Sequence, residues 1–154
     1  MPIPDLSFHS STFYGLDVLE QMDFKPLYDK SIGIFTNKTA VNQKGSHILD
    51  LLKKHSKIDV KVIFTPQFGL FADQDKRFKM NNGEKYDPDH NARLVEVFGR
   101  NMKPPAWSVR DLDLIIIDIQ DTGVRFSTYV ATMTKILEVA SEWSLPVICL
   151  LYTS

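Results

Sequence analysis

The chain has 154 residues, 44% of them hydrophobic and 24% charged, with a formal net charge of −1. That is the size and mixture of one globular domain, and so small a charge gives no electrostatic footing for nucleic acid or an anionic membrane. A single cysteine, Cys149, excludes an internal disulfide, and no run of 18 apolar residues provides a membrane span.

The first residues, MPIPDLSFHS, lack the basic start and apolar stretch of a signal peptide, so the compartment expected by default is the cytoplasm. Residues 1–14 read as irregular, with Pro2 and Pro4. Gly15 to Met22 is helix-like, with Leu16, Leu19 and Met22 at roughly helical spacing. Ser31 to Thr36 (SIGIFT) is a strand, followed by a polar loop from Asn37 to Gly45. Ser46 is placed to cap a helix running to about His55, with Ile48, Leu51 and Leu52 as its buried stripe. Val60 to Phe64 (VKVIF) is a second strand, closed by Thr65-Pro66.

Residues 65–90 read as a long connection rich in Asp, Lys, Asn and Gly, with a turn at Asn82-Gly83. A connection this long is expected to be functional or partly disordered. Within it Asp87, Asp89 and His90 lie close together, and a solvated loop is the simpler reading than a metal site. Leu94 to Phe98 is a weaker strand candidate. Leu114 to Gln120 is the strongest strand, because an unbroken Leu-Ile-Ile-Ile run is the pattern of a strand covered on both faces. Phe126 to Trp143 is the strongest helix, with Val130, Met133, Ile136, Leu137, Ala140 and Trp143 expected on its buried face. Pro146 to Leu151 is a last strand, in whose apolar run Cys149 reads as a small core residue.

Strands alternating with helices point to an α/β fold: a Rossmann-like parallel sheet with helices on both faces, over residues 15–154. Ligands in such folds bind at the carboxyl ends of the strands. The residues delivered there are Thr36 and Asn37, then Thr65 and Gln67, then Asp118, Gln120 and Asp121, with Arg125 and Tyr129 beyond the bend at Gly123. Read singly, these residues have plain structural roles: Asp121 or Thr122 as a helix cap, Asp118 and Arg125 as an ion pair. Read together at one edge, they form a candidate pocket. Neither GxxxxGK[ST], GxGxxG nor GxSxG occurs, and His9, His47, His55 and His90 lack metal-ligand spacing. No cofactor and no metal are expected.

The segments Ile32 to Val41 (IGIFTNKTAV), Pro66 to Leu70 (PQFGL), Val97 to Gly99, Asp113 to Tyr129 (DLIIIDIQDTGVRFSTY) and Thr132-Met133 fall in an order and spacing that resembles the N-terminal domain of the exo-β-N-acetylmuramidases. These are bacterial peptidoglycan glycoside hydrolases, formerly known only as a domain of unknown function. The resemblance covers about residues 15–150. It implies a Rossmann-like catalytic domain that a smaller C-terminal domain follows, and a hydrolase of cell wall recycling that releases terminal N-acetylmuramic acid from peptidoglycan fragments. The implied partner is a peptidoglycan-derived sugar, with neither nucleic acid nor a membrane span; the oligomeric state is left open.

Under this resemblance position 67, Asp118 and Asp121 are the candidate catalytic positions. Asn37, Gln120, Arg125 and Tyr129 are the candidate sugar contacts, with Arg125 suited to a lactyl carboxylate. Two departures from the family pattern stand out. The family reads Pro-Glu-His-Gly where this chain reads Pro66-Gln67-Phe68-Gly69, and a glutamine cannot serve as general acid or base. The family also continues with Asp-Arg-Pro-Asn-Pro where this chain ends in Leu151-Tyr152-Thr153-Ser154. Both lead to the expectation of a truncated, inactive enzyme domain; the alternative is a non-catalytic carbohydrate-binding or pseudoenzyme domain.

Overall fold

The computed structural model describes residues 13–66, 79–81, 84–99, 102–120 and 128–150. Its elements in chain order are α1 (Gly15–Gln21), β1 (Lys30–Thr36), α2 (Ile48–Leu52), β2 (Ile58–Thr65), β3 (Lys79–Asn81), β4 (Glu84–Asp87), β5 (Ala92–Glu96), β6 (Leu114–Asp118), α3 (Tyr129–Glu142) and β7 (Val147–Cys149). The strands form one sheet in the order β3-β4-β5-β2-β1-β6-β7. The pairs β5-β2, β2-β1, β1-β6 and β6-β7 are parallel, and β3-β4 and β4-β5 are antiparallel. The expected parallel sheet is therefore present, with an antiparallel edge added to it.

The apolar runs of β1, β2 and β6 alternate between two cores. On one face Ile32, Ile34, Ile63, Leu114 and Ile116 pack with Leu16 and Leu19 of α1 and with Ile48, Leu49, Leu51 and Leu52 of α2. On the other, Phe35, Val62, Phe64, Ile115 and Ile117 pack with Ile136, Val139 and Ala140 of α3. Each fully buried side chain of this size contributes about 1.5–3 kcal/mol by leaving water, so a strand that feeds both cores is fixed in register. Gly33 marks the one register shift between β1 and β2. A Cβ there would lie 2.7 Å from Leu112 Cδ1 and 3.0 Å from Phe64 Cε2, so the close approach of strand and core excludes a larger residue.

Several elements differ from the sequence expectation. The connection 65–90 contains β3 and β4. Their residues, KMN and EKYD, carry no apolar alternation, and main-chain pairing of β3 to β4 and of β4 to β5 holds them. The strand expected at Leu94 to Phe98 runs two residues earlier. Helix α2 has five residues and its N-cap is His47, not Ser46: His47 Nδ1 accepts the Leu49 N–H at 3.3 Å.

The buried face of α3 is also turned from the expected one. Thr132, Ile136, Val139 and Ala140 are inside, whereas Val130, Leu137 and Trp143 are exposed. Apolar residues surround most of this helix, so periodicity did not select one face. Thr132 can be interior because its hydroxyl donates to the Thr128 carbonyl at 3.0 Å. Cys149 is exposed, at the end of β7 on the edge of the described sheet.

Asp89 is exposed as a solvated loop would have it, but Asp87 and the His90 ring are not. Asp87 and His90 are buried and bind each other, Nδ1 to Oδ2 at 2.7 Å, while His90 Nε2 donates to the Leu49 carbonyl at 2.9 Å. Lys53 at the end of α2 pairs with Asp89 at 2.9 Å. This cluster fastens the β4-β5 turn to α2. Among the described residues no group of acidic, histidine or cysteine side chains could hold a metal ion, and no helix is long and apolar enough to cross a membrane.

Candidate active site

Chain direction decides where a pocket can form. From β1 the chain passes to β2 and β5 on one side, then returns to β6 and β7 on the other. The order reverses between β1 and β6, so their carboxyl ends are splayed by crossovers that leave to opposite faces, and a crevice opens there. The last residues of the two strands, Thr36 and Asp118, are register partners. Phe35 and Phe64 are partners in the β1-β2 pair, so the same register brings Thr65 beside Thr36. Thr65, Thr36 and Asp118 thus form one row, on the face covered by α1 and α2.

That row is buried and partly unsatisfied. Thr36 and Thr65 are fully buried, and Asp118 is 2% exposed. Thr65 Oγ1 and Asp118 Oδ2 find no hydrogen-bond partner among the described residues. Buried polar atoms without partners are rare and mark a place where something is to be bound. Burial pushes the Asp118 carboxyl up from the ordinary carboxylate range to about 7. A carboxyl poised there can both donate and accept a proton near neutral pH, which ordinary aspartates cannot do.

Above Asp118 lies a cavity of about 640 Å³, lined by Tyr14, Leu16, Thr39, Asn42, Gln43, Asp118, Gln120 and Leu150 among others. Its volume suits a small ligand. The loop after β1 forms its wall and is stiffened by short-range hydrogen bonds. Asn37 Oδ1 accepts from the Thr39 N–H at 3.1 Å and its hydroxyl at 2.6 Å. The Asn37 carbonyl meets His47 Nε2 at 2.9 Å. Asn42 Oδ1 accepts from the N–H groups of Lys44 and Ser46, and Asn42 Nδ2 donates to Glu20 at 2.8 Å. Asp17 of α1 accepts from the Gln43 N–H at 2.9 Å and from the Tyr14 N–H at 3.0 Å. The wall is thereby tied to α1 and does not collapse into the cavity.

Of the residues singled out from sequence, Asp118 and Gln120 line this cavity together. Asn37 is not among the lining residues; it is buried, with its amide oxygen engaged in the turn to Thr39. Tyr129 opens α3 and packs against the core on the α3 face, away from the Asp118 row. Gln67, Asp121 and Arg125 lie outside the described residues. Thr39, Asn42 and Gln43 escaped the sequence reading; the signal for them was the pair of asparagines in a polar loop directly after a buried strand, the usual composition of a built turn.

The chain is similar to known proteins. Residues 32–151 match the family described as exo-β-N-acetylmuramidase NamZ, N-terminal. The peptidoglycan β-N-acetylmuramidase NamZ of Bacillus subtilis is 30% identical over 132 residues, which is 86% of this chain and 31% of that protein. A crystal structure of a DUF1343 family protein from Bacteroides fragilis superposes with a TM-score of 0.77 at 28% identity, over 90% of this chain and 34% of the other. A second from the same organism gives 0.68 at 25% identity, over 92% and 35%. The chain spans about a third of the length of these relatives.

Proposed function

The chain belongs to the exo-β-N-acetylmuramidase NamZ N-terminal family, and from that premise we propose that it is a sugar-recognition domain of the peptidoglycan glycoside hydrolase type, with the cleft above Asp118 taking a terminal N-acetylmuramic acid. The observation that carries this reading is the buried, unpartnered Asp118 carboxyl at the floor of a preformed cavity at the β1-β6 reversal. A neutral carboxyl there can donate to a glycosidic or hydroxyl oxygen of the sugar, and Gln120, Thr39 and Gln43 offer polar groups for hydroxyl and acetamido substituents. Arg125 remains the candidate for the lactyl carboxylate.

Hydrolysis of a glycoside ordinarily needs two carboxyl groups, one on each side of the bond. The resemblance implies a carboxylate where this chain has Gln67, so we assign this chain recognition without appreciable turnover. The substitution also favours a second reading, a carbohydrate-binding domain that was never required to cleave.

The test is a calorimetric titration of the purified chain with a disaccharide bearing N-acetylmuramic acid at its non-reducing end, paired with an assay for released sugar. Saturable binding with no release is expected. Failure to bind, or equal binding of the disaccharide of N-acetylglucosamine alone, would overturn the reading.

A further inference from the structure

A second cleft, of about 520 Å³, opens at the antiparallel side of the sheet. Its lining includes Met80, Leu94, Pro105 and Trp107, with Arg93 among them. Arg93 lies in β5 two residues before Val95, which belongs to the α3-face core, so its side chain leaves the sheet on that face, opposite the Asp118 row. Strands β2 and β1 stand between β5 and β6, which separates the two sites by about 14 Å at ordinary strand spacing.

The Arg93 guanidinium lies over the Trp107 ring, 4.3 Å from its centroid. Among the described residues neither a hydrogen bond nor an ion pair engages any of its N–H groups. The neighbouring cations are already spent. Lys85 pairs with Glu96, and Lys103 pairs with Glu142 at 2.7 Å. Glu84 lines the same cleft but forms no ion pair with Arg93. A half-buried guanidinium held over an indole leaves its fork of donors available to a bidentate acceptor.

We propose that this cleft is a second binding site, in which Arg93, held over Trp107, takes the carboxylate of a small organic acid whose apolar flank rests on Val95, Pro105 and the indole. One net charge is the most the cleft accommodates, because Glu84 and Glu96 at its rim oppose a dianion. The carboxylate can come from an acidic sugar or from a short peptide. The assignment stands whether or not the Asp118 cleft takes sugar.

The experiment uses fluorescence, since the chain has two tryptophans and Trp143 can be removed. In the Trp143→Phe protein all indole emission comes from Trp107. N-acetylmuramic acid, N-acetylalanine, N-acetylglucosamine and inorganic phosphate are titrated separately. A saturable emission change with either carboxylate, and none with N-acetylglucosamine, is expected; which of the two acids binds more tightly identifies the source. Arg93→Gln should weaken that binding by about tenfold or more, the scale of a charge-assisted hydrogen bond. Arg93→Lys, which keeps the charge and loses the fork, should weaken it less. The proposal is overturned by a flat response of the folded protein to both acids, by equal binding of the neutral sugar, by tighter binding of phosphate, or by affinity that survives Arg93→Gln.

Discussion

Thr36 and Asp118 are partnered across the parallel β1-β6 pair, each the last residue of its strand, with both side chains on the face covered by α1 and α2. Asp118 therefore sits between an apolar core below it, which raises its proton affinity, and a cavity above it, which gives that proton something to meet. Both properties come from one register position, and both can be tested.

The first expectation concerns pH. The folded-state value of Asp118, about 7, lies above its ordinary 3.8. Between those values the native state holds a proton that the unfolded chain has released, so native stability falls as pH rises through this window and levels off above it. The loss is at most about 4 kcal/mol, from 1.36 kcal/mol per unit. Asp118→Asn removes the titrating group. Denaturant unfolding should show the variant equal to the parent near pH 4 and more stable at pH 8. A variant less stable at pH 8 would mean that the ionised carboxylate is held by a partner.

A second expectation concerns the clamp between α2 and the β4-β5 turn. His90 Nε2 faces a carbonyl and Nδ1 a carboxylate oxygen, so one proton lies between the ring and Asp87. His90→Ala leaves Asp87 buried without its ring partner. Breaking a buried pair from one side costs about 3–5 kcal/mol. Urea unfolding should show a loss of that size, and adding Asp87→Asn should recover part of it. A loss no larger than that of a surface substitution, about 0.5 kcal/mol, would show that the turn is held by β-pairing alone.

A third expectation concerns Gly15, at the start of α1. A Cβ there would lie 2.7 Å from Leu150 Cα and 2.8 Å from the Leu150 carbonyl oxygen, both backbone atoms. In an open helix Gly→Ala stabilises by about 0.5–1 kcal/mol; overpacking against an immovable neighbour destabilises by about 1–3 kcal/mol. The contact should win, so Gly15→Ala lowers the melting temperature. Because Tyr14, Leu16 and Leu150 line the Asp118 cavity, the displaced helix should also weaken sugar binding. A stabilised variant would mean that α1 does not bear on the strand end.

The parts that were legible in the sequence were those written in local pattern. Leu114-Ile115-Ile116-Ile117 can be only a strand covered on both faces, and it places Asp118 at the sheet edge without any structure. Long-range packing carried the rest. The α3 face depends on which side of an all-round apolar helix meets the sheet, and Thr132 goes inside only because Thr128 satisfies its hydroxyl. The strands KMN and EKYD have no pattern to read, since their support is main-chain pairing. Arg93 and Trp107 are fourteen positions apart, with no periodicity linking them, and only the folded sheet stacks one on the other.

The last expectation follows from position 67. The purified chain should bind the muramic-acid-terminated disaccharide and release no sugar above a boiled control, because Gln67 cannot exchange a proton with the leaving oxygen and Asp118 alone cannot act on both sides of the bond. General acid–base help is worth about 10²–10⁴-fold in rate. Joining the chain to the C-terminal remainder of the Bacillus subtilis relative separates the missing acid from every other cause. In that chimera Gln67→Glu should raise release by at least about a hundredfold, and adding Asp118→Asn should cancel most of the gain if the two carboxyls act as a pair. In the 154-residue chain itself the same Gln67→Glu change should leave release at background while the disaccharide still binds. Sugar release by the unmodified chain would show that a catalytic carboxyl other than the one at position 67 suffices, and the assignment of recognition without turnover would fall.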